Sequence, residues 1–174
     1  MPAHRLTRVG SLLLIAALAG TGCSDQTGPT APKTSETIVS RPESNPARSG
    51  ATFISDLRVH SNAVFMSING TGGWLDLTAV LTNPGRKATG LYLQGVVRQG
   101  TLTATSDQVP IRCGAGEGTM PRGKTCSMTV ELTVPQRNFF ASEGQFTLKL
   151  VQRQLDGSVT VLDTRTVDVV IVRL

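Results

Sequence analysis

The stretch Cys126–Val134, which reads CSMTVELTV, alternates between apolar and polar residues along its whole length. Its apolar side consists of Cys126, Met128, Val130, Leu132 and Val134. Because successive side chains of a β-strand point to opposite faces, a period of two predicts a strand with one face against a core. The same period appears in Trp74–Thr82 (WLDLTAVLT) and in Gln145–Arg153 (QFTLKLVQR), so both are predicted strands as well.

The rest of the chain after residue 52 continues this pattern. Further strands are predicted at Leu91–Arg98, Val109–Cys113 and Val159–Val172, with one or two more in Phe53–Ile68. Asp156-Gly157 is a typical hairpin turn between the strands on either side of it. About seven or eight short antiparallel strands without a helix are typical of a β-sandwich, so we expect an all-β domain over residues 53–174.

The composition limits both the core and the partners. The chain has 174 residues with five Phe, one Trp and one Tyr, so the core of a single domain must consist mainly of Val, Leu, Ile and Met. The formal net charge is +5, but the Lys and Arg residues are scattered and form no run. We therefore expect neither a nucleic-acid interface nor a patch for anionic lipid headgroups.

The first 22 residues have the features of an export signal. A basic start precedes the apolar stretch Leu12–Ala19, whose eight residues are too few to span a bilayer as a helix. The small residues before Cys23 resemble the lipobox of bacterial lipoproteins, in which the cysteine thiol is acylated and the bond before it is cut. The resemblance implies a signal peptide over residues 1–22 and a lipid-anchored protein, and Ser24 resembles an outer-membrane sorting signal.

A second mode of export remains open. A lipobox usually has Leu three residues before the cysteine, where this chain has Gly20. Ala17-Leu18-Ala19 fits a site for ordinary signal cleavage, which would release a soluble secreted protein. Both modes take the protein out of the cytoplasm, and they differ in whether Cys23 holds it on a membrane.

The segment after the lipobox predicts a disordered tether over residues 23–52. Residues 24–50 contain four Pro and nine Ser or Thr, and Ile38 and Val39 are their only large apolar residues. Such a composition buries too little apolar surface to offset the entropy of ordering. A flexible coil of these 27 residues has a typical reach of roughly 30 Å.

The chain has three cysteines. With Cys23 lipidated, Cys113 and Cys126 remain as a pair in an oxidising compartment, where disulfides persist. A metal or redox pair is the alternative, but the spacing is not C-x-x-C, and His60 is the only histidine outside the signal. We therefore expect a structural disulfide between Cys113 and Cys126 and no metal site.

Two short motifs resemble known domain families. Pro121–Cys126 (PRGKTC), followed by the alternating strand, resembles the P-x-G-x-[ST]-C turn and strand of Hydin-type (ASH) immunoglobulin-like domains. Leu77–Gly90 (LTAVLTNPGRKATG) resembles the strand, Asn-x-Gly turn and small-residue loop of bacterial CARDB-like domains, which are related to cell adhesion. Both resemblances imply a single Ig-like β-sandwich for residues 53–174, of a kind that serves in binding, spacing or adhesion without catalytic residues.

Gly118–Thr125 (GTMPRGKT) matches the phosphate-loop pattern G-x-x-x-x-G-K-[ST] letter for letter. A phosphate loop needs a helix after it, because the helix N-terminus and the loop amides hold the phosphates, whereas a strand is predicted here. Pro121 also removes one amide from the loop. We interpret the segment as a turn between strands and expect no nucleotide or other cofactor.

Candidate contact residues are few. Trp74 falls on the face opposite Leu75 and Leu77, where it can pack against the sandwich or, together with Tyr92, form an aromatic platform for a partner. His60 has no recognisable nucleophile and orienting acid in the sequence, so no catalytic residue is predicted.

These observations predict a lipid-anchored, non-enzymatic module of the cell envelope for binding, adhesion or scaffolding, with an envelope protein or a glycan as its partner. The alternative is a secreted carbohydrate-binding accessory or a small hydrolase domain. That alternative needs a platform built on Trp74 and Tyr92, or carboxylates that converge from distant parts of the sequence.

Overall fold

The computed structural model describes residues 50–70, 72–135 and 137–174. The expectations for the signal peptide, for Cys23 and for most of the tether lie outside the described residues. The strands are β1 (Phe53–Val59), β2 (Ala63–Met66), β3 (Gly73–Asn83), β4 (Leu91–Gln99), β5 (Leu102–Thr105), β6 (Val109–Pro110), β7 (Lys124–Val134), β8 (Glu143–Arg153) and β9 (Val159–Arg173). A 3-10 turn, His60–Asn62, separates β1 from β2. Among the described residues, no helix has the length and apolar character to cross a membrane.

The strands form two sheets that face each other across one core. The first sheet contains β1, β3 and β7, and the second contains β2, β9, β8 and β4, with β5 and β6 on the outer edge of β4. β2 joins the two sheets, because it pairs with β3 over two residues and with β9 over four. The expected all-β sandwich is confirmed, and the described residues form nine strands where about seven or eight were expected.

One pairing differs from the expected antiparallel arrangement. β2 lies parallel to β9, from Ala63 opposite Val170 to Met66 opposite Arg173. The reason is the turn at His60–Asn62, where the chain leaves the first sheet and continues along the edge of the second. The one or two strands expected in Phe53–Ile68 are therefore two, one in each sheet.

The core follows from the predicted period of two. On β3, Leu75, Leu77, Ala79 and Leu81 are fully buried, while the residues between them are half-buried on the outer face. Phe146, Leu148 and Leu150 supply the same inner face on β8. Burying one such Leu or Phe side chain stabilises the fold by about 1.5–3 kcal/mol.

Two charged residues of β9 also face this core. Asp163 and Arg165 are 3% and 1% exposed, and they lie opposite Leu150 and Leu148 on β8. Asp163 Oδ2 accepts a hydrogen bond of 2.9 Å from Ile54 N, and Arg165 Nε donates one of 2.8 Å to Ile54 O. The carboxylate and the guanidinium are 3.9 Å apart. The pair therefore fastens the start of β1 in the first sheet to β9 in the second.

The expected disulfide between Cys113 and Cys126 is present, with its Cα atoms 5.7 Å apart. Both cysteines are half-buried against the core. The strand expected over Val109–Cys113 is shorter than predicted, since β6 contains only Val109–Pro110. Beyond it, Ile111 O accepts a hydrogen bond of 2.8 Å from Gly118 N, which turns the chain into the loop that the disulfide closes.

The turn interpretation of Gly118–Thr125 is confirmed, because β7 begins at Lys124 and continues as a strand to Val134. A buried amide holds this turn in place. Asn83 Nδ2 donates hydrogen bonds of 2.8, 3.2 and 3.1 Å to the carbonyl oxygens of Arg86, Met120 and Pro121. One side chain thus joins the loop before β4 to the loop before β7.

The sandwich has two ends. The proximal end contains Gly50, where the described chain begins, the loops 84–90 and 118–123, and the hairpin turn 154–158. Gly85 lies against Gly50 O with no room for a side chain, and Arg153 N donates a hydrogen bond of 2.7 Å to Gly90 O. The distal end contains the turn His60–Asn62, residues 99–101 between β4 and β5, and residues 137–143 before β8.

Candidate functional site

An open groove with a volume of about 630 Å³ lies on the outer face of the second sheet at the distal end, and we call it the distal groove. It is lined by Asn62, Arg98, Gln99, Gly100, Glu143, Gly144, Gln145, Asp168, Val169 and Val170. These residues come from four separate segments of the chain, and the sheet register brings them together.

Three strands place the polar centre of the groove. Arg98 of β4 pairs with Gln145 of β8, which pairs in turn with Asp168 of β9. Residues opposite each other in an antiparallel pair share a face, so the three side chains form one row across the sheet. Gln145 Nε2 donates a hydrogen bond of 3.4 Å to Asp168 Oδ1, and Arg98 Nε donates one of 3.2 Å to Gly100 O.

The wall of the groove is held by Gln99. Its Nε2 donates hydrogen bonds of 2.9 Å to Phe140 O and 2.7 Å to Ser142 Oγ, while its Oε1 accepts one of 2.8 Å from Phe140 N. Phe139 is 2% exposed and anchors the same segment in the core. Gln99 is therefore fixed in the wall of the groove, while Phe140, which is 68% exposed, lies outside the lining.

The floor of the groove is tightly packed at Gly144. A Cβ there would lie 2.9 Å from Ile171 Cδ1 and 3.1 Å from Arg98 O. The first contact is with the end of a side chain and the second with a backbone oxygen, and both are tighter than ordinary side-chain contacts, so a larger residue at position 144 would force these neighbours to shift. Gly144 thus lets β8 approach its neighbours closely beneath the groove.

The backbone beside the groove is strained. Ser61 and Asn62 have φ values of 58° and 51°, and they are the only non-glycine residues with positive φ among those described. Left-handed backbone costs a non-glycine residue roughly 1–2 kcal/mol. Such strain concentrates at functional sites, and Asn62 lines the groove directly.

The chemistry of the groove is that of hydrogen bonding. Its lining offers one guanidinium, three side-chain amides and two carboxylates, and it contains no aromatic ring, histidine, cysteine or hydroxyl. No cluster of three or more potential metal ligands occurs in the described part of the chain. The arrangement suits a polar ligand that carries both donors and acceptors.

A second hollow, of about 490 Å³, continues from the groove across the same outer face. Arg98 and Gln145 belong to both, and the second hollow adds Val96, Thr101, Thr103, Thr147, Lys149 and Thr166. Thr147 Oγ1 and Thr166 Oγ1 are hydrogen-bonded to each other at 2.9 Å. The polar surface therefore extends over β5, β4, β8 and β9, which is long enough for an extended ligand.

The structure does not bring the two predicted contact residues together. Trp74 lies on the outer face of the first sheet, half-buried, with its ring stacked on Phe65 at a centroid distance of 5.7 Å and an interplanar angle of 27°. Tyr92 lies on the outer face of the second sheet, with the Arg153 guanidinium 4.7 Å from its ring centroid. Each aromatic ring packs locally, so they form no common platform, and neither lines the distal groove.

His60 also lies outside the groove. It is exposed in the turn after β1, and its Nε2 lies 2.9 Å from Thr78 Oγ1.

The residues that sequence reasoning missed are Arg98, Gln145 and Asp168. The only local signal for them was their position on the polar side of three predicted strands.

Comparison with known proteins gives only distant likenesses. No protein-family model and no curated protein matches the sequence. The crystal structure of Spo0M, a sporulation control protein from Bacillus subtilis, is similar at 13% identity and a TM-score of 0.39, over 70% of this chain and 49% of that one. The apo form of the Calx CBD1 domain is similar at 13% identity and a TM-score of 0.28, over 71% of this chain and 98% of that one.

This chain thus spans about half the length of Spo0M. Likenesses at these TM-scores carry no argument about what the protein does.

Proposed function

We propose that this protein is a lipid-anchored, non-enzymatic binding module of the cell envelope, which holds a partner protein in the distal groove. The observation that carries the proposal is the row of Arg98, Gln145 and Asp168, built by three strands beside the left-handed turn at Ser61-Asn62. The row supplies a guanidinium, an amide and a carboxylate on one surface, and these groups recognise a polar protein segment.

A protein partner fits the groove better than a glycan does. Sugar-binding sites usually stack a sugar ring on an aromatic side chain, and the lining of the distal groove contains none. The lining instead carries both signs of charge, with Arg98 near Asp168 and Glu143. Complementary charges of both signs give protein interfaces their specificity.

The compartment is supported by the disulfide between Cys113 and Cys126, since such bonds persist outside the cytoplasm. The anchor is proposed from the lipobox-like residues before Cys23, with the outer membrane as its site from Ser24. Metabolic labelling with an alkyne fatty acid tests it. We expect label on the wild-type protein and none on Cys23→Ser, whereas cleavage after Ala19 with no label on either would contradict the anchor.

Site-specific photocrosslinking in the native host tests the groove. A photoreactive amino acid at Gln145 should give one discrete crosslinked protein. The same amino acid at Thr129, on the outer face of the first sheet, is the matched control and should give none. Arg98→Glu should abolish the crosslinked band from position 145 while the protein remains folded.

Equal bands from positions 145 and 129, or a band that survives Arg98→Glu, would refute the groove as the binding site. A crosslink from position 145 that carries glycan and no polypeptide would replace the protein partner with a sugar ligand.

A further inference from the structure

The proximal end gathers basic residues that are scattered in the sequence. Arg86 and Lys87 lie in the loop before β4, Arg122 lies in the loop before β7, and Lys124 is the first residue of β7. Asn83 holds these two loops together through its hydrogen bonds to Arg86 O and Pro121 O. The sequence contains no run of Lys and Arg, and it is the fold that places these four residues at one end of the domain.

These four cations are exposed, and none forms an ion pair with another described residue. Two exposed acids lie in the described loops and turns of the same end. Glu117 is paired with Arg112 at 3.4 Å, and Asp156 lies in the hairpin turn, where it accepts a hydrogen bond of 2.9 Å from Ser158 N. The proximal end thus presents an excess of positive charge.

The same end also exposes apolar side chains. Leu155, at the tip of the β8–β9 hairpin, is 110% exposed, and Val159 and Val161 are 47% and 50% exposed. Hydrogen bonds close the turn, since Gln154 N donates one of 2.8 Å to Ser158 O and Gly157 N donates one of 3.0 Å to Gln154 O. Leu155 contributes no buried area to the core. Its side chain is therefore available for an apolar contact outside the domain.

We propose that the proximal end docks on an anionic phospholipid surface, with Leu155 at the boundary of the acyl chains and the four cations on the headgroups. Surface binding of this kind combines buried apolar area with attraction to anionic lipid. Each Lys or Arg near such a surface strengthens binding about fivefold, so four give several hundredfold.

The position of the chain start supports a bilayer as the occupant. The described chain begins at Gly50, which lies against Gly85 in the basic loop, so the chain enters the domain at this end. The 26 residues between Cys23 and Gly50 would reach roughly 30 Å as the disordered tether expected from the sequence, which would keep the domain close to the surface that holds Cys23. This step rests on the proposed anchor, whereas the charge and the exposed Leu155 do not.

Vesicle sedimentation tests the proposal without the anchor. The protein carries Cys23→Ser, and the vesicles are either pure phosphatidylcholine or phosphatidylcholine with three parts in ten phosphatidylglycerol. We expect binding to the anionic vesicles alone. The double change Arg86→Gln with Lys87→Gln should weaken it about 25-fold, and raising the ionic strength should weaken it further.

Matched controls come from the distal end. The double change Arg137→Gln with Arg173→Gln removes two positive charges at the distal end, as many as the proximal double change removes. It should change vesicle binding less than twofold. Leu155→Ser should weaken binding several-fold, whereas Phe140→Ser, at a side chain that is 68% exposed at the distal end, should not. Asp156→Asn removes the unpaired acid at the tip and should strengthen binding.

Equal losses from the proximal and distal double changes, or no preference for anionic vesicles, would overturn the proposal. Competition by free inorganic phosphate at millimolar concentration would also overturn it, because a small-anion site would then explain the binding. The anchor is decided separately by fatty-acid labelling at Cys23. Vesicle binding without that label supports the docking surface and removes only the anchor.

Discussion

At the proximal end, the two sheets are cross-linked by buried polar groups and by a covalent bond, whereas at the distal end the backbone is strained and the surface is open. Proximally, Asp163 and Arg165 hold Ile54, and the disulfide joins the loop at Cys113 to β7. Distally, the left-handed turn at Ser61-Asn62 borders a groove of about 630 Å³. The same strands run to both ends, so the difference between the ends lies in the residues and loops at each end of those strands.

The comparison indicates a division of labour within one small domain. Strain and open polar surface are features of binding sites, and they persist only where the rest of the fold is stable enough to support them. The cross-links at the proximal end provide that stability where the chain joins the segment proposed to hold it on the membrane. The predictions below test this division from the largest expected effect to the smallest.

Arg165→Ala should have the largest effect on stability. It leaves Asp163 buried without its guanidinium, and breaking a buried pair in this way costs about 3–5 kcal/mol in the free energy of unfolding. Urea denaturation monitored by circular dichroism measures the loss. The control is Asp163→Leu with Arg165→Met, which removes both charges and should recover part of the stability, because the N–H and C=O of Ile54 still lose their partners. A double variant as unstable as the single one would show that the charges are not the reason.

Cys113→Ser with Cys126→Ser should lower the free energy of unfolding by about 3 kcal/mol, because the disulfide restricts the unfolded chain. Reduction of the wild-type protein should give the same loss. The crosslink from position 145 should persist in the variant at temperatures where it remains folded, since the disulfide lies at the other end. Loss of that crosslink in a folded variant would mean that the two ends are coupled.

Asn62→Gly should stabilise the protein by about 0.5–1 kcal/mol, because glycine adopts the left-handed conformation without strain. Thermal denaturation detects the gain. Asn138→Gly, at an exposed distal position without positive φ, is the matched control and should give no gain. Crosslinking from position 145 should weaken in Asn62→Gly. Unchanged crosslinking would show that the strained backbone at position 62 does not contribute to binding.

Asp156 predicts a small pH dependence at the proximal end. The side chain and the backbone N–H of Ser158 hold the pKa of Asp156 below its ordinary value of 3.8. A lowered folded-state pKa means that the charged form contributes stability above pH 3.8, and that this contribution is lost as the pH falls through the folded-state pKa. The wild type should be slightly more stable than Asp156→Asn at pH 7, and the two should converge in acid.

Much of the fold could be predicted from the sequence, because each signal is local. The alternation in Trp74–Thr82 and Cys126–Val134 assigns strands and inner faces without knowledge of the neighbours. Asp156-Gly157 fixes a hairpin, and cysteine arithmetic yields the disulfide. The strand β5, Leu102–Thr105, was missed because four residues rich in Thr show too short an alternation.

The charged residues in the core were missed for a different reason. Asp163 and Arg165 fall on the same side of β9 as Val167 and Val169, so the period of two did place them inward. Charged residues generally lie at the surface, so alternation alone does not predict that these two are buried. What decides their burial is a partner on another strand, Ile54, and that partner is more than a hundred residues away in the sequence.

Neither end of the sandwich could be predicted as a surface. The row in the distal groove depends on the register between β4, β8 and β9, and register is a property of the assembled sheet. The basic patch depends on Asn83, which joins the loop before β4 to the loop that follows β6 in the sequence. Sequence gives the charges of these residues, and the topology decides which of them become neighbours.

The direction of β1 has a mechanical consequence. If the chain is held at its N-terminus and a partner pulls on the distal groove, the force acts on β1 along its own axis. Its six paired positions with β3 are antiparallel, and antiparallel hydrogen bonds run perpendicular to the strands. The load therefore falls on all of these bonds in shear, and they must fail together. A strand pulled in this way resists far more force than one that is peeled away bond by bond.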